Sequence, residues 1–162
     1  MKKSTLLAVL SSLIIATPAL AQDDGHGFKH NVIGVFIGKT KSDYSHKASY
    51  GLEYEYRFDQ TWGAGAVYEK TPEAHDDHHG HYDDISVALV SGYYHYNLLR
   101  IGLGFGQEKI HGSHSYTESL VRTSVAYDFH ITEHIGIAPA FSLDAVDGHT
   151  AKIYGIAINY IF

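Results

Sequence analysis

Histidine and aspartate residues are interleaved in one short segment, and this is the pattern in the sequence with the clearest chemical potential. Residues 71–83 contain His75, His78, His79 and His81 among several aspartates. Neutral imidazole and carboxylate groups are ligands for zinc, nickel and copper, and three or four of them must converge on one ion. The segment therefore predicts a transition-metal site, with zinc as the first choice.

Further histidines occur in other polar segments, at His46, His111, His114 and His149. We include His111 and His114 among the predicted metal ligands. Two alternatives stay open. The histidine-rich segment could be a hydrated loop that chelates metal only because of its composition. It could also sense acid, since histidines beside aspartates change the local charge near pH ~6.

A catalytic alternative rests on histidine–serine pairs in the segment that follows His111. His111 with Ser113, or His114 with Ser115, could supply a base and a nucleophile, and Glu118 is close enough in sequence to orient the base. Such pairs are common in polar loops, and the spacing of the acid matches no known motif. We therefore predict that the protein is not an enzyme, with no catalytic or cofactor-binding residues.

The composition excludes several classes of protein. The 162-residue chain has no cysteine, which excludes a disulfide framework, a cysteine-based zinc site and a thiol nucleophile. Its net charge is −6 and it has no long basic stretch, so nucleic acid is not an expected partner. Charged residues make up only 19%, while the chain contains 13 tyrosines and 16 glycines. This balance favours an all-β protein with one face in an unusual solvent.

The first 21 residues have the pattern of a secretory signal peptide. Lys2 and Lys3 precede an apolar stretch over residues 6–16, and residues 19–21 form an A-x-A cleavage site. We predict a signal peptide over residues 1–21 and one domain over residues 22–162. No later segment has the run of apolar residues that a transmembrane helix needs.

The rest of the chain shows alternating polar and apolar residues rather than a helical period. Most of the predicted strands approach the ~9–11 residues that a tilted transmembrane strand requires. The eight predicted strands lie at about 30–39, 48–58, 62–70, 84–96, 98–109, 117–129, 134–143 and 150–162.

The two faces of these strands differ in a way that favours a membrane barrel. In the fifth strand Leu99, Ile101, Leu103 and Phe105 share one face, and the other face carries glycines between two charged residues. Small residues and a few charges suit the filled interior of a narrow barrel whose apolar face contacts lipid. A sheet in lipid cannot leave open edges, so it must close. The faces of the first and fourth strands are ambiguous.

The connections between the predicted strands alternate in length. Those near residues 59–61, 97 and 130–133 are short, and those at 40–47, 71–83, 110–116 and 144–149 are longer and polar. Short periplasmic turns and longer outer loops are typical of transmembrane barrels, so the histidine-bearing segments are expected at one outward rim. Aromatic residues near the strand ends predict two girdles, with Tyr56, Phe58, Trp62, Tyr96, Phe129 and Tyr160 on the periplasmic side and Tyr50, Tyr68 and Tyr154 on the outer side.

Residues 154–162, which alternate apolar and small residues and end on Phe162, resemble the C-terminal targeting signal of Gram-negative outer-membrane barrels. The whole processed chain resembles the small eight-stranded OmpX/OmpA-type and opacity-like families. The resemblance implies an all-β, eight-stranded antiparallel barrel in the cell outer membrane, placed there by the barrel-insertion machinery. It also implies a monomer with a filled lumen. Charges in that lumen must be paired, and they are Glu53, Glu55, Arg57, Arg100, Glu108, Arg122 and Asp128.

The sequence thus predicts a non-enzymatic outer-membrane barrel that contacts lipid and whose outer loops bind a metal ion such as zinc. One alternative is an adhesion or envelope-integrity barrel without a metal role. The other is an enzyme that modifies lipid A.

Overall fold

The protein is all-β in the computed structural model, which describes residues 28–41, 46–75, 82–111, 115–146 and 149–162. The predicted signal peptide lies outside these residues. Within them, the structure contains no helix with the length and hydropathy needed to span a membrane. The strands are β1 Asn31–Lys41, β2 His46–Arg57, β3 Trp62–His75, β4 Tyr82–Tyr96, β5 Leu99–His111, β6 Tyr116–Tyr127, β7 Phe129–His130, β8 Ile135–Val146 and β9 His149–Ile161.

All strands pair antiparallel in one sheet that closes on itself. Each strand from β1 to β5 pairs with the next, β1 also pairs with β9, and β8 pairs with β6, β7 and β9. The short β7 continues β6 in the same register against β8, so the barrel has eight positions around its circumference. The break between β6 and β7 falls opposite Pro139, which has no backbone N–H to donate. The predicted eight-stranded barrel is confirmed.

The strand register fixes the diameter of the barrel. Cross-strand partners can be followed once around the sheet, starting from Asn31 and returning to β1 ten positions further on. They are Asn31, Tyr56, Ala64, Gly92, Leu103, Thr123, Leu143, Lys152 and Lys41. With standard strand spacings, this shear tilts the strands by about 40° and gives a backbone radius of about 8 Å. An interior this narrow has room for side chains and little else.

The outer surface of the barrel is an apolar belt. In β5, the exposed fractions of Ile101, Leu103 and Phe105 are 47%, 49% and 56%, whereas Arg100 is buried. The outward face predicted for the fifth strand is confirmed in β5, and the same alternation of exposed and buried residues is present in β2, β6, β8 and β9. So many exposed large apolar side chains are incompatible with water and suit hydrocarbon.

The two ambiguous strands become clear because both of their faces are apolar. In β1, Val32 and Phe36 point into the barrel while Ile33 and Val35 point out. In β4, the inward residues include Val87 and Leu89, which form an apolar cluster inside the barrel with Leu120 and Val146. The prediction of a lumen lined only by small and charged residues was therefore wrong at this level, where branched side chains fill the interior.

The aromatic residues form contacts near the short-turn end of the barrel. The rings of Trp62 and Tyr94 lie 5.0 Å apart, and those of Tyr127 and Phe129 lie 4.8 Å apart. The six aromatic residues predicted for this girdle are exposed, as are the three predicted for the outer one. Exposed aromatic residues at both edges of the apolar belt match the two interfaces of a bilayer.

The three described turns are short and have identifiable causes. Asp59 Oδ1 accepts hydrogen bonds from the N–H groups of Thr61 (2.6 Å) and Trp62 (2.9 Å). The β4–β5 turn contains Asn97 with φ of 54°, a left-handed conformation that asparagine tolerates. The Thr132 hydroxyl accepts hydrogen bonds from two N–H groups of the last turn. These turns lie at the same end as the chain termini, which is the periplasmic end in transmembrane barrels.

The opposite end differs from the prediction, because the strands extend beyond the apolar belt. Residues 71–83 were predicted as one long loop, yet β3 continues to His75 and β4 begins at Tyr82. A register shift between Thr71 and Ala74 surrounds Pro72, which cannot donate to the ladder. Above the membrane both faces of a strand contact water, so alternation no longer marks a strand there.

A charged substitution in the belt tests the lipid-facing surface. Leu103→Arg is expected to lower the free energy of unfolding by about 2–4 kcal/mol, because an arginine on the lipid face near the bilayer middle is costly. Gln107→Arg, on the same face of β5 but beyond Phe105, should cost only about 0–1 kcal/mol. Trp62 is the only tryptophan, so its fluorescence reports denaturant unfolding in phospholipid vesicles. Equal effects of both substitutions would contradict a hydrocarbon environment.

Candidate functional site

Histidines occupy four strand ends at the rim opposite the periplasmic turns. His46 begins β2, His75 ends β3, His111 ends β5 and His149 begins β9. Each therefore adjoins a different one of the four connections at this end. Of the six predicted metal ligands, the described backbone includes His75 and His111. His78, His79, His81 and His114 lie outside the described residues.

The described histidine side chains at the rim point in different directions. The Nε2 atom of His111 lies 2.9 Å from the hydroxyl oxygen of Ser86 on the neighbouring strand β4. His149 Nε2 lies 3.5 Å from Glu108 Oε1, which is buried inside the barrel. His111 is exposed. The rim thus has histidines accessible from the outside and one that caps the lumen.

The start of β4, which follows the β3–β4 connection, lies beside His111 at the end of β5. Asp84, near the start of β4, is the cross-strand partner of His111 on β5. Among the described residues, no three histidine, aspartate or glutamate side chains are close enough together to hold a metal ion. The histidines of residues 76–81 are not part of that set. Imidazole and carboxylate groups are the donors that zinc takes, so the residue types at this rim fit the predicted ion.

One residue of the catalytic alternative, His111, has a hydrogen-bond contact with Ser86 on the neighbouring strand. Ser113 and His114 lie outside the described residues. Glu118 on β6 is the cross-strand partner of Glu108 on β5, and both residues are on the inward faces of their strands. Glu118 therefore does not orient His111, which points outward from the barrel.

The periplasmic half of the lumen contains a network of buried charges centred on Glu55. The Oε1 atom of Glu55 lies 2.5 Å from His95 Nε2, and its Oε2 accepts a hydrogen bond of 3.3 Å from Arg100. Arg100 also donates to Glu53, and Arg57 lies 3.6 Å from Glu55. Glu55 is fully buried. A bare carboxylate there would be very costly, and several donors around it offset that cost.

Two features of the strands make room for this network. Gly63 faces Glu55, and a Cβ atom at position 63 would collide with the Glu55 carboxylate. Asp128, at the break between β6 and β7, points inward and lies 3.7 Å from Arg57 and 3.9 Å from Arg100. The network therefore joins side chains from β2, β4 and β5 and from the residue that follows β6.

The outer half of the lumen contains a second, separate ion-pair cluster. Arg122 donates from Nε and Nη2 to the two carboxylate oxygens of Asp144, at 2.6 and 2.7 Å. Its Nη2 also lies 2.7 Å from Glu69 Oε2. All three side chains are buried. This fork-shaped pairing connects β3, β6 and β8 across the interior and fixes their side chains in one geometry.

A small cavity separates the two clusters. It has a volume of about 50 Å³ and is lined by small residues such as Ala126 and Ala140 and by Arg100 and Arg122. The Arg100 guanidinium lies 5.0 Å from the centre of the Tyr93 ring, which covers the periplasmic side. A cavity of this size holds a few water molecules and no larger solute. The barrel is therefore filled by its side chains.

The seven charges predicted for the lumen all point inward. Six of them pair with side chains of opposite charge, and the buried Glu108 lies 3.5 Å from His149. Sequence reasoning missed Glu69 and Asp144, because their strands had not been assigned charged inward positions. It also did not place His95 in the lumen, where this residue lies beside Glu55. All three residues lie on the same inward face as Arg122 or Glu55 when the cross-strand partners are followed around the sheet. This could be recognised only once the strand registers were known.

Histidines at the periplasmic end have structural contacts. The ring of His30 stacks on Tyr56 with centroids 5.6 Å apart, and its Nδ1 lies 2.6 Å from the Arg57 carbonyl oxygen. His134 stacks on Tyr160 at 5.8 Å. These stacking contacts give both histidines a structural role at the periplasmic interface.

Comparison with known proteins reveals the fold but no close relative. No protein-family model and no curated protein sequence matches the chain. The attachment invasion locus protein Ail of Yersinia pestis is similar in structure, with a TM-score of 0.53, 17% identity, and coverage of 83% of this chain and 97% of that chain. The N-terminal β-barrel domain of Pseudomonas aeruginosa OprF gives a TM-score of 0.60 at 12% identity, covering 83% and 100%. Neisserial surface protein A gives 0.56 at 9% identity, covering 86% and 100%.

These structures are similar to this chain in fold, and they confirm the predicted resemblance to the small eight-stranded Gram-negative barrels. A closed barrel with an apolar outer belt is the form in which strands cross an outer membrane. The protein is therefore an outer-membrane β-barrel whose belt contacts lipid.

The Arg122 cluster yields a test of interior packing. Asp144→Ala removes both oxygens that Arg122 Nε and Nη2 contact, and leaves a buried guanidinium with Glu69 as its only carboxylate partner. We expect a loss of about 3–5 kcal/mol in unfolding free energy. Glu133→Ala, in an exposed turn, should change it by less than about 0.5 kcal/mol. Denaturant unfolding in vesicles measures both, and a small effect of Asp144→Ala would indicate that water solvates Arg122.

Proposed function

We propose that this protein is a non-enzymatic barrel that presents a histidine-rich rim to the outside, where it binds a transition metal ion, with zinc as the preferred ion. The observation that carries the proposal is the position of four histidines at four strand ends on one rim. Three of them, His46, His75 and His111, adjoin longer polar connections, and the connections after His75 and His111 contain further histidines.

The filled lumen supports a role for the rim rather than for a pore. Two layers of paired charges and an apolar cluster occupy the interior. A solute large enough to be nutritionally useful does not fit through a cavity of about 50 Å³. Function is then left to the outward rim, and imidazole and carboxylate are its distinctive groups.

The two histidine-bearing connections adjoin β4 and β5, which are neighbours in the sheet. Because β4 pairs with β5 through Asp84 and His111, residues 76–81 and 112–114 connect to adjacent strand ends. Ligands from two connections satisfy the need for three or four donors more readily than one extended segment does. This geometry supports His75, His78, His79 and His81, aided by His111 and His114, as the ligand set.

A zinc titration of the refolded barrel tests this proposal. We expect tight binding at about pH 7.5 and much weaker binding at about pH 5.5, because ligand imidazoles must be deprotonated. Substitution of His75, His78, His79 and His81 by alanine should weaken binding at least about tenfold, since each lost ligand removes a metal bond. The control, His130→Ala with His134→Ala, removes histidines from the periplasmic end and should leave affinity unchanged.

Unchanged affinity in the four-histidine variant would exclude these ligands. Elemental analysis of protein purified from outer membrane without added metal then identifies the native ion. If the protein contained no more of any metal than a control barrel does, the proposal would be contradicted.

A second candidate is adhesion or envelope integrity without a metal role. Its support is the likeness in fold to the attachment invasion locus protein Ail. Cell binding that persists in a chelator would favour this candidate, whereas binding that depends on zinc would favour the metal-binding rim.

A further inference from the structure

Five lysines point outward just beyond the apolar belt, on the loop-bearing side of the barrel. We call them the lysine belt, and all five are exposed. Three of them lie two residues beyond an outward apolar side chain, as Lys70 does after Tyr68, and the Lys70 ammonium lies 6.0 Å from that ring. The members of the lysine belt are Lys39, Lys41, Lys70, Lys109 and Lys152.

Charges of opposite sign are separated between the two faces of the same strands. Lys70 follows Glu69, and Lys109 follows Glu108, yet the exposed fractions of the two glutamates are only 7% and 4% because they point inward. No salt bridge found within the described residues includes a belt lysine. Glu69 and Glu108 are therefore used inside the barrel, whereas the lysines that follow them lie on its outer surface.

The junction of the first and last strands concentrates this charge. Lys41 lies directly opposite Lys152, and Lys39 lies two residues from Lys41 on the same face of β1. Like charges in directly opposed positions destabilise a sheet unless an anion lies between them. Diagonal neighbours on one face are about 7–8 Å apart, which allows a single phosphate group to contact two lysines.

The height of the lysine belt matches a lipid headgroup layer. With a strand tilt of about 40°, Lys39, Lys70 and Lys152 lie within about 2 Å of one another along the barrel axis, and one pleat above the outer aromatic girdle. Lys41 and Lys109 lie one further step out. Headgroups begin where the apolar belt ends, so these ammonium groups lie beside the phosphates of the surrounding lipid.

Among the residues that the structure describes, the periplasmic edge has no equivalent ring of lysines. There the outward residues around the chain ends are mainly aromatic, and Lys29 donates a hydrogen bond of 2.7 Å to the Glu133 carbonyl oxygen. The asymmetry indicates that the anionic lipid belongs to the outer leaflet, beside the loop-bearing end.

We propose that the lysine belt, and above all Lys39, Lys41 and Lys152 at the β1–β9 junction, binds the phosphate groups of a phosphorylated glycolipid of the outer leaflet. The lipid bridges the two terminal strands on the outside and neutralises the opposed lysines. Lipid A has this chemistry and serves as the probe. The proposal is independent of metal binding by the rim.

The test compares three variants of the full barrel in binding to lipid A, measured by native mass spectrometry from a neutral detergent. Each lysine near an anionic lipid contributes about 1 kcal/mol, which is about fivefold in affinity. Lys39→Gln, Lys41→Gln and Lys152→Gln together should weaken binding on the order of a hundredfold. The same three positions changed to arginine should retain it, and Lys29→Gln should have no effect.

The same three substitutions to glutamine should change the stability of the barrel in opposite directions in two membranes. In phosphatidylcholine vesicles, the three-glutamine variant should unfold at the same or a higher denaturant concentration than the wild type, because repulsion is removed. In vesicles that contain lipid A, it should unfold at a lower concentration than the wild type. A fold defect would lower stability in both membranes, so it would contradict this expectation.

Two further arms identify the source of the phosphate. Dephosphorylated lipid A should bind the wild type about as weakly as lipid A binds the glutamine variant, and inorganic phosphate at matched concentration should not displace lipid A. Equal binding of the dephosphorylated lipid, or displacement by free phosphate, would overturn the proposal. The variant that lacks His75, His78, His79 and His81 should bind lipid A normally, which separates this proposal from the metal-binding rim.

Discussion

Every backbone N–H and C=O group within hydrocarbon must find its partner inside the protein, and this requirement determines the rest of the structure. It forces the sheet to close through the β1–β9 and β6–β8 pairings. Closure with a shear of ten residues sets a radius of about 8 Å, which leaves an interior only wide enough for side chains. Paired charges follow from that confinement, because a buried carboxylate such as Glu55 is stable only when surrounded by donors.

Closure also separates the molecule into three environments with different chemistry. Apolar residues such as Leu103 contact lipid, Arg122 and its carboxylates are buried in the interior, and His111 reaches the outer solvent. The same strand contributes to all three as its side chains alternate and its ends leave the membrane. The strand-end histidines therefore lie at the rim, where water and ions have access, and the outward lysines lie one level below it.

The alternation of the fifth strand was enough to predict its faces, because one face there is large and apolar and the other is glycine. The same reasoning did not resolve β4, since Val87 and Leu89 fill the lumen while Val90 contacts lipid. Hydrophobicity alone does not distinguish a packed interior from a lipid-facing surface. The contact of Glu55 with His95 was also beyond prediction, because it depends on the registers of three strands. The strand-end histidines were predictable as a group, because the even number of strands fixes which end they share.

The junction between β1 and β9 joins the first and last strands, and reciprocal hydrogen bonds between Asn31 and Phe162 complete it. A chain without either strand cannot form this pairing, so an unfinished chain keeps unpaired strand edges that attract other strands. Contacts between residues so far apart in sequence also slow folding, because the entropy cost of closing a large loop comes before the stabilising contacts form. The barrel can therefore close only after β9, the last strand to be synthesised, is available. Until then the nascent chain needs protection from aggregation.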